Sequence, residues 1–296
     1  MRSKPIFLSI FLLFLFAQQS FSQDKSSKIS INVYGGYGFI NTAGDYFTMN
    51  GDVQGTTTNS QGMSQTNSTK AYNRTKEDLG NGAHMGLGVS YALNKFIRIG
   101  IDADYLTGKK NTSLNIPADT LTGAFNSTHS VLSIIPNISF RLLGSSKYHI
   151  YNTIGIVEAV KTKFDYSYVA SKEEATTVST DKYKYGLNTG FKDALGIQFG
   201  ITKNVEVFAE LSGYFLSASP TSKNEVLNYS SVTNGVTSNQ VVNRNISYSN
   251  SGSFNYQQST TSGNPTVVNV SYNDEAPHQH FYSVGLNAGI RVSLPY

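Results

Sequence analysis

The 296-residue chain contains no cysteine. In an exported protein that excludes disulfide support, so the fold must hold by backbone pairing and packing. Charged residues are scarce, at 14%, against about a quarter in ordinary soluble domains. Mean hydropathy is negative, and no apolar run reaches the roughly twenty residues of a membrane-crossing helix. A helical membrane protein is therefore excluded. A barrel that places apolar side chains at every second position is not, because its average stays hydrophilic.

What the chain does have begins with a targeting segment. Arg2 and Lys4 precede an apolar run from Ile6 to Ala17, followed by Ser20 and Ser22 before Gln23. This pattern predicts a secretory signal peptide over residues 1–22, too short to span a bilayer, and a short tail over 23–28. No cysteine follows the expected cut, which excludes a lipoprotein anchor. Residues 1–22 carry two of the positive charges and none of the negative ones, so net charge falls from +4 to +2 on cleavage. Nothing in that balance points to nucleic acid.

The remainder alternates between patterned and polar stretches. Period-2 patterning predicts eight strands: 29–40, 82–92, 96–106, 130–142, 148–161, 183–201, 205–216 and 280–294. The connections between them run 41, 3, 23, 5, 21, 3 and 63 residues, long and short in strict alternation. An antiparallel up-and-down barrel puts all the long connections at one end and all the short ones at the other. The last strand is the clearest. Tyr282, Val284, Leu286, Ala288, Ile290, Val292 and Leu294 form one face, and Ser283, Gly285, Asn287, Gly289, Arg291 and Ser293 form the other.

Alternation alone leaves two barrels open. A soluble one has its apolar face inside; an inverted one has its apolar face outside. Glycine favours the inverted barrel. Gly36, Gly38, Gly86, Gly88, Gly100, Gly155, Gly186, Gly190, Gly196, Gly200, Gly285 and Gly289 sit on the polar face. They have no use in water but make room in a crowded lumen. Aromatics also cluster near strand ends on the apolar face. Tyr37, Phe39, Tyr105, Tyr183, Tyr185, Phe215 and Tyr282 fall at the long-loop end, and Tyr91, Phe140, Tyr148, Phe199 and Tyr296 at the turn end. Such girdles mark the two interfaces of a membrane barrel.

Taken with the signal peptide and the eight-strand rhythm, the final stretch GLNAGIRVSLPY resembles the small outer-membrane barrel family of the OmpA-type transmembrane domain. The resemblance covers roughly the whole mature chain. It implies a porin-like barrel in the outer membrane of a Gram-negative-type bacterium, with periplasmic termini and extracellular long loops. It also implies contact with outer-membrane lipid and with the barrel-assembly machinery, through an assembly signal at Val292, Leu294 and Tyr296. The chain ends at its last strand, so no periplasmic peptidoglycan-binding domain is expected.

Within the lumen, Arg98, Arg141, Lys192 and Arg291 are expected to face Asp102, Asp104, Glu206 and Glu210. Buried charges must pair, which predicts a plug of salt bridges; a gate or narrow ion path is the alternative. Asn152, Glu158 and Asp193 fall on the apolar face, which calls for a bulge near Gly190 or a membrane boundary below Asp193. Pro136, inside a strand, requires a bulge or local gap.

No cofactor motif is present. The histidines are His84, His129, His149, His278 and His280, and no ligand set completes a metal site around His278 and His280. No serine is marked for lipid deacylation beside a histidine, so no enzyme is expected. Residues 41–81 and 217–279 form either a passive coat or a surface recognising a protein or glycan. In 226–272, Asn234–Gly235 predicts a tight hairpin, Asn250–Gly252 a second turn, and TVVNVSY a further strand. Asp119–Thr120–Leu121 resembles a bacterial O-glycosylation site. The functional expectation is a structural or surface-interaction protein with a plugged lumen. The alternatives are a narrow small-solute channel and, third, an outer-membrane enzyme acting on lipid.

Overall fold

The computed structural model describes residues 29–40, 45–48, 51–58, 64–71, 74–77, 80–116, 121–145, 147–172, 174–248, 257–261, 266–274 and 279–294. Every regular element among them is a strand. Eight of these close into a barrel: β1 (Ile29–Ile40), β6 (Gly82–Ala92), β7 (Ile97–Ile116), β8 (Leu121–Gly144), β9 (Tyr148–Lys172), β11 (Asn188–Gly200), β12 (Val205–Ala218) and β17 (Gln279–Ser293). The order around the wall is β1-β6-β7-β8-β9-β11-β12-β17 and back to β1, each pair antiparallel. The short turns 93–96, 145–147 and 201–204 share one end with the chain ends, where Ser30 stands opposite Ser293.

Local chemistry makes those turns. Asn94 Oδ1 accepts the backbone N–H groups of Phe96 and Ile97 at 2.7 and 2.9 Å. Thr202 Oγ1 accepts those of Asn204 and Val205 at 3.3 and 3.1 Å. Short polar side chains that mimic a backbone turn are the reason these residue types start tight connections.

The barrel is inverted. Val33 is 56% exposed and Ile101 58%, while their strand neighbours Asn32, Tyr34 and Asp104 are buried. Every barrel strand contributes to the outer apolar ring, including Leu87, Ile156, Leu195, Leu211 and Leu286. The glycines do make room inside. A Cβ built on Gly86 would lie 2.1 Å from the Tyr34 ring, and one on Gly196 would lie 2.5 Å from the Tyr151 ring. Each tyrosine thus lies over a neighbouring strand where no side chain can stand.

The wall does not stop at the barrel rim. The connections expected over 107–129 and 162–182 are largely strand: β7 and β8 stay paired to Ile116↔Leu121, and β9 runs on to Lys172. On β9 the alternation continues through Phe164, Tyr166 and Tyr168 but on the opposite parity, with Lys163 and Asp165 outward. The strand expected over 183–201 is two strands, β10 (Ala175–Tyr185) and β11, separated at Gly186–Leu187. Beyond the rim, β10 pairs with β9 and with β13 (Pro220–Thr233); β13 pairs with β14 (Val236–Tyr248). β14 runs parallel to β16 (Thr266–Asp274), which pairs with β15 (Gln257–Thr261). Strands also occur in the 41–81 connection, where β2 (Asp45–Thr48) pairs with β5 (Arg74–Glu77) and β3 (Gly51–Thr58) with β4 (Ser64–Ala71). The Asn234–Gly235 hairpin forms as expected, with φ of 52° and 76°. Both values positive is the geometry that selects Asn-Gly. The expected turn at Asn250–Gly252 lies outside the described residues, as do Asp119 and Thr120.

A line of irregularities separates barrel from extension. On β9 the β8 ladder skips Val160, on β13 the β10 ladder skips Thr221, and β10 is parted from β11 by two residues. Each break moves the inward face from one parity to the other: Val157 and Ala159 below, Phe164 and Tyr166 above. This corrects the place of Tyr183. Counted from β11 it falls on the outer face; it is buried in the interior cluster. No register shift occurs at Gly190, so the bulge expected there is absent. Asp193 and Asn152 do lie outside, and Asn152 Nδ2 donates to Asp193 Oδ1 at 2.8 Å. Thr189 Oγ1 donates likewise to Glu158 at 3.0 Å. Pro136 is accommodated by a local gap: Ile135 and Pro136 have no partners on β9, and the ladder resumes in register at Asn137↔Gly155.

Gly86→Ala is expected to destabilise the barrel by about 1–3 kcal/mol, because the added methyl overpacks against Tyr34. The check is a denaturant titration in detergent, in which the double variant with Tyr34→Ala should lose less than the sum of the two single changes.

Candidate functional site in the barrel lumen

Eight strands leave an interior just wide enough for side chains to fill. The filling has two layers. Near the long-loop end it is apolar: Leu106, Val131, Ile135, Val157, Phe164, Leu216 and Phe281 are each 0% exposed. Tyr183 and Tyr214 pack into the same cluster. The lumen residues expected from the sequence are the charged ones and the glycines, and this apolar layer is not among them.

Below it lies the polar layer. Asp102, Asp104, Lys192, Glu210 and Arg291 all stand on the inner face, as do Arg98, Arg141 and Glu206 nearer the turns. Their pairing differs from a plug of salt bridges. Asp104, 2% exposed, accepts from Tyr34 OH at 2.8 Å and stands 3.1 Å from His84 Nδ1. Asp102 accepts from Asn32 and Asn137 at 3.1 and 2.9 Å. Tyr151 OH donates to Glu210 at 2.8 Å, and Gln198 donates to Glu206. Lys192 Nζ sits 4.7 Å over the Tyr34 ring and donates to its hydroxyl at 3.3 Å. Arg291 donates to Gln198 Oε1 and lies over the Tyr151 and Phe208 rings at 5.8 and 5.5 Å.

Among the described residues, His84–Asp104 is the one lumen contact of ion-pair geometry. Neutral amides and phenols stand between the charges instead. The physical reason is reach: the wall places Asn32, Tyr34, Tyr151 and Gln198 beside the carboxylates, while the long cations rest on aromatic faces. Sequence reasoning placed Tyr34 in the lumen but named none of the four as a partner of the charges. Their signal was present, since all four share the inward parity of the charged ones.

The polar layer encloses a residual cavity of about 20 Å³ bounded by Asp102, Lys192, Glu210 and Arg291. That is room for one water molecule. The described residues hold no group of three metal-ligating side chains. His278 lies outside them, and His280 stacks with Tyr282 at 5.0 Å. Of the expected assembly signal, Val292 and Leu294 are outward and exposed. The backbone N–H of Leu294 donates to the Ile29 carbonyl at 2.9 Å; Tyr296 is outside the described residues.

The extension carries its own inward face. Leu227, Val242, Val268 and Val270 form a small apolar cluster against Tyr168 and Tyr272. Lys223 Nζ bridges Asp181 at 2.8 Å and Glu225 at 3.6 Å, and Arg244 reaches Glu225 at 3.5 Å. Burial and the neighbouring Tyr229 and Glu225 push the Tyr168 phenol up to about 12. It therefore stays a neutral donor at physiological pH.

No family model matches the chain, and no curated protein does. Among solved structures, a Pseudomonas aeruginosa FadL homologue is 6% identical over 90% of each chain, with a TM-score of 0.18. The P. putida toluene transporter TodX is 8% identical over 95% of this chain and 92% of its own, with a TM-score of 0.18. A TodX deletion mutant titled as a monoaromatic hydrocarbon channel gives 7% and 0.19 over the same shares. Superpositions this loose carry no argument about this chain, whose closed eight-stranded antiparallel barrel is established by its own ladder.

Asp104→Ala would leave Tyr34 and His84 without their acceptor and is expected to cost at least about 1–3 kcal/mol. Asp104→Asn retains an acceptor and should cost less. Midpoints of unfolding in detergent for the two variants give the comparison.

Proposed function

We propose that the protein is an outer-membrane barrel of the OmpA-like kind that transports nothing through its lumen and serves as a rigid base for a surface-exposed sheet. The single observation that supports this reading is the combination of an unbroken outer apolar ring with a lumen filled at two levels. A contiguous apolar band around a whole molecule is far beyond the patches that soluble monomers expose. A hydrocarbon environment accommodates it, and a closed barrel meets the demand that every backbone group there be bonded.

In this reading the signal peptide directs export, the termini and short turns lie in the periplasm, and the extension stands outside the cell. The added strands beyond one rim support a structural or surface-interaction role. The strands that outlast the barrel, β7 to β10 and β13 to β16, lie beyond one rim and carry Tyr, Ser, Asn and Thr. Such residues suit contact with proteins or glycans. A narrow channel is the alternative. It would need a displaced apolar layer, since Phe164 and Phe281 both lie fully buried in it.

Purified protein in planar bilayers is expected to give no reproducible single-channel steps; regular steps would replace this proposal with the channel. On intact cells, a protease site inserted at Asn234–Gly235 should be cut and one in the 201–204 turn should not. Cutting of both or neither would overturn the orientation.

A further inference from the structure

The turn end of the barrel is hollow where the rest of the lumen is filled. A cavity of about 300 Å³ opens there, lined by Lys95, Arg98, Arg141, Lys203 and Arg291, with Glu206 as the lone carboxylate among the described residues. That volume is at the lower bound of small-ligand pockets. It adjoins the polar layer, whose small cavity shares Arg98, Ser139 and Arg291 with it.

Among the described residues its charges are not neutralised. Glu206 is engaged by the Gln198 amide, and that same amide takes one Arg291 N–H, so the two ions are held apart by a neutral group. Arg141 donates to the Ser145 carbonyl. Arg291 is only 8% exposed, yet its Nε has no hydrogen-bond partner. Nη1 of Arg98, from the adjoining wall, is buried and without a partner as well. Buried guanidinium donors without acceptors are costly. Two of them bordering one pocket, with three more cations around the mouth, define a binding geometry. Guanidinium groups present planar forks of donors that match oxyanions. Arginines approaching from several sides fit a tetrahedral group with several acceptor oxygens better than a flat carboxylate.

We propose that this vestibule is a binding site for a phosphate-class oxyanion: Arg98 and Arg291 hold the anion at the base, and Arg141, Lys95 and Lys203 draw it in from the mouth. The shared chemistry is a phosphate group, whether of a free phosphate or of a phosphorylated small molecule. The site is independent of the surface role of the opposite end, and its failure would leave that role untouched.

The test is calorimetric titration of the detergent-held full chain with inorganic phosphate and, separately, pyrophosphate and glycerol phosphate. Saturable one-to-one binding is expected, weakened at least tenfold by Arg291→Gln or Arg98→Gln and left unchanged by Lys182→Gln on the exposed face of β10. If the arginine variants lose the heat-resistant fold of the barrel, Arg141→Gln with Lys203→Gln serves instead, since both positions lie at the mouth, and should weaken binding about tenfold. Binding of inorganic phosphate alone would identify the free ion as the ligand; binding of glycerol phosphate as well would identify a phosphate ester. No saturable binding of any of the three, or binding indifferent to these substitutions, would overturn the proposal.

Discussion

Closure of the hydrogen-bond ladder, through β9–β11 on one side and β17–β1 on the other, is the constraint on which the rest of the molecule depends. Once eight strands meet edge to edge, each residue must point either into a narrow tube or away from it. The tube cannot hold eight full-sized apolar faces. In its turn-side half small and polar residues occupy it and the apolar ones stand outward, while one apolar layer fills the long-loop end. The tyrosines that lie over Gly86 and Gly196 follow from the same geometry, since a ring crossing the lumen needs a partner strand with nothing there.

The interior then solves a charge problem without ion pairing. Carboxylates at Asp102, Asp104, Glu206 and Glu210 are met by amides, phenols and one imidazole, and the cations lie against aromatic rings. Most of these partners reach across the lumen past the adjacent strand, as Tyr34 on β1 does to Asp104 on β7 and Tyr151 on β9 to Glu210 on β12. At the turn end this economy stops, and donors outnumber acceptors. That imbalance separates a filled structural core from a pocket.

At the opposite rim the wall outgrows the barrel. Three neighbouring strands change parity along one line, at Val160, at Gly186–Leu187 and at Thr221, and beyond it the sheet continues through β10, β13, β14 and β16. A bulge or break shifts one strand by a residue, so its inward parity changes while the sheet keeps a common inner side; β8 beside it keeps one parity from Ser127 to Ile135. The apolar layer of Phe164, Tyr183 and Leu216 forms at this junction.

The strand count, the inverted sense of the barrel, the clustering of turns at one end and the tight Asn234–Gly235 hairpin were all legible in the sequence, because period-2 alternation and turn chemistry are local. So was the inward face of every charged lumen residue, from Arg98 to Arg291. The long reach of β7, β8 and β9 was not; on β9 the alternation continues beyond the rim but on the opposite parity. Nor were Tyr183's burial, the parallel pairing of β14 with β16, or the identity of each carboxylate's partner. Those depend on which strands lie side by side and on where the ladder slips by one residue, and a slip of one exchanges inside for outside. The sequence by itself determined which residues alternate; only the tertiary structure decided which side each alternation faces past a bulge and which donors are left without acceptors at the turn end.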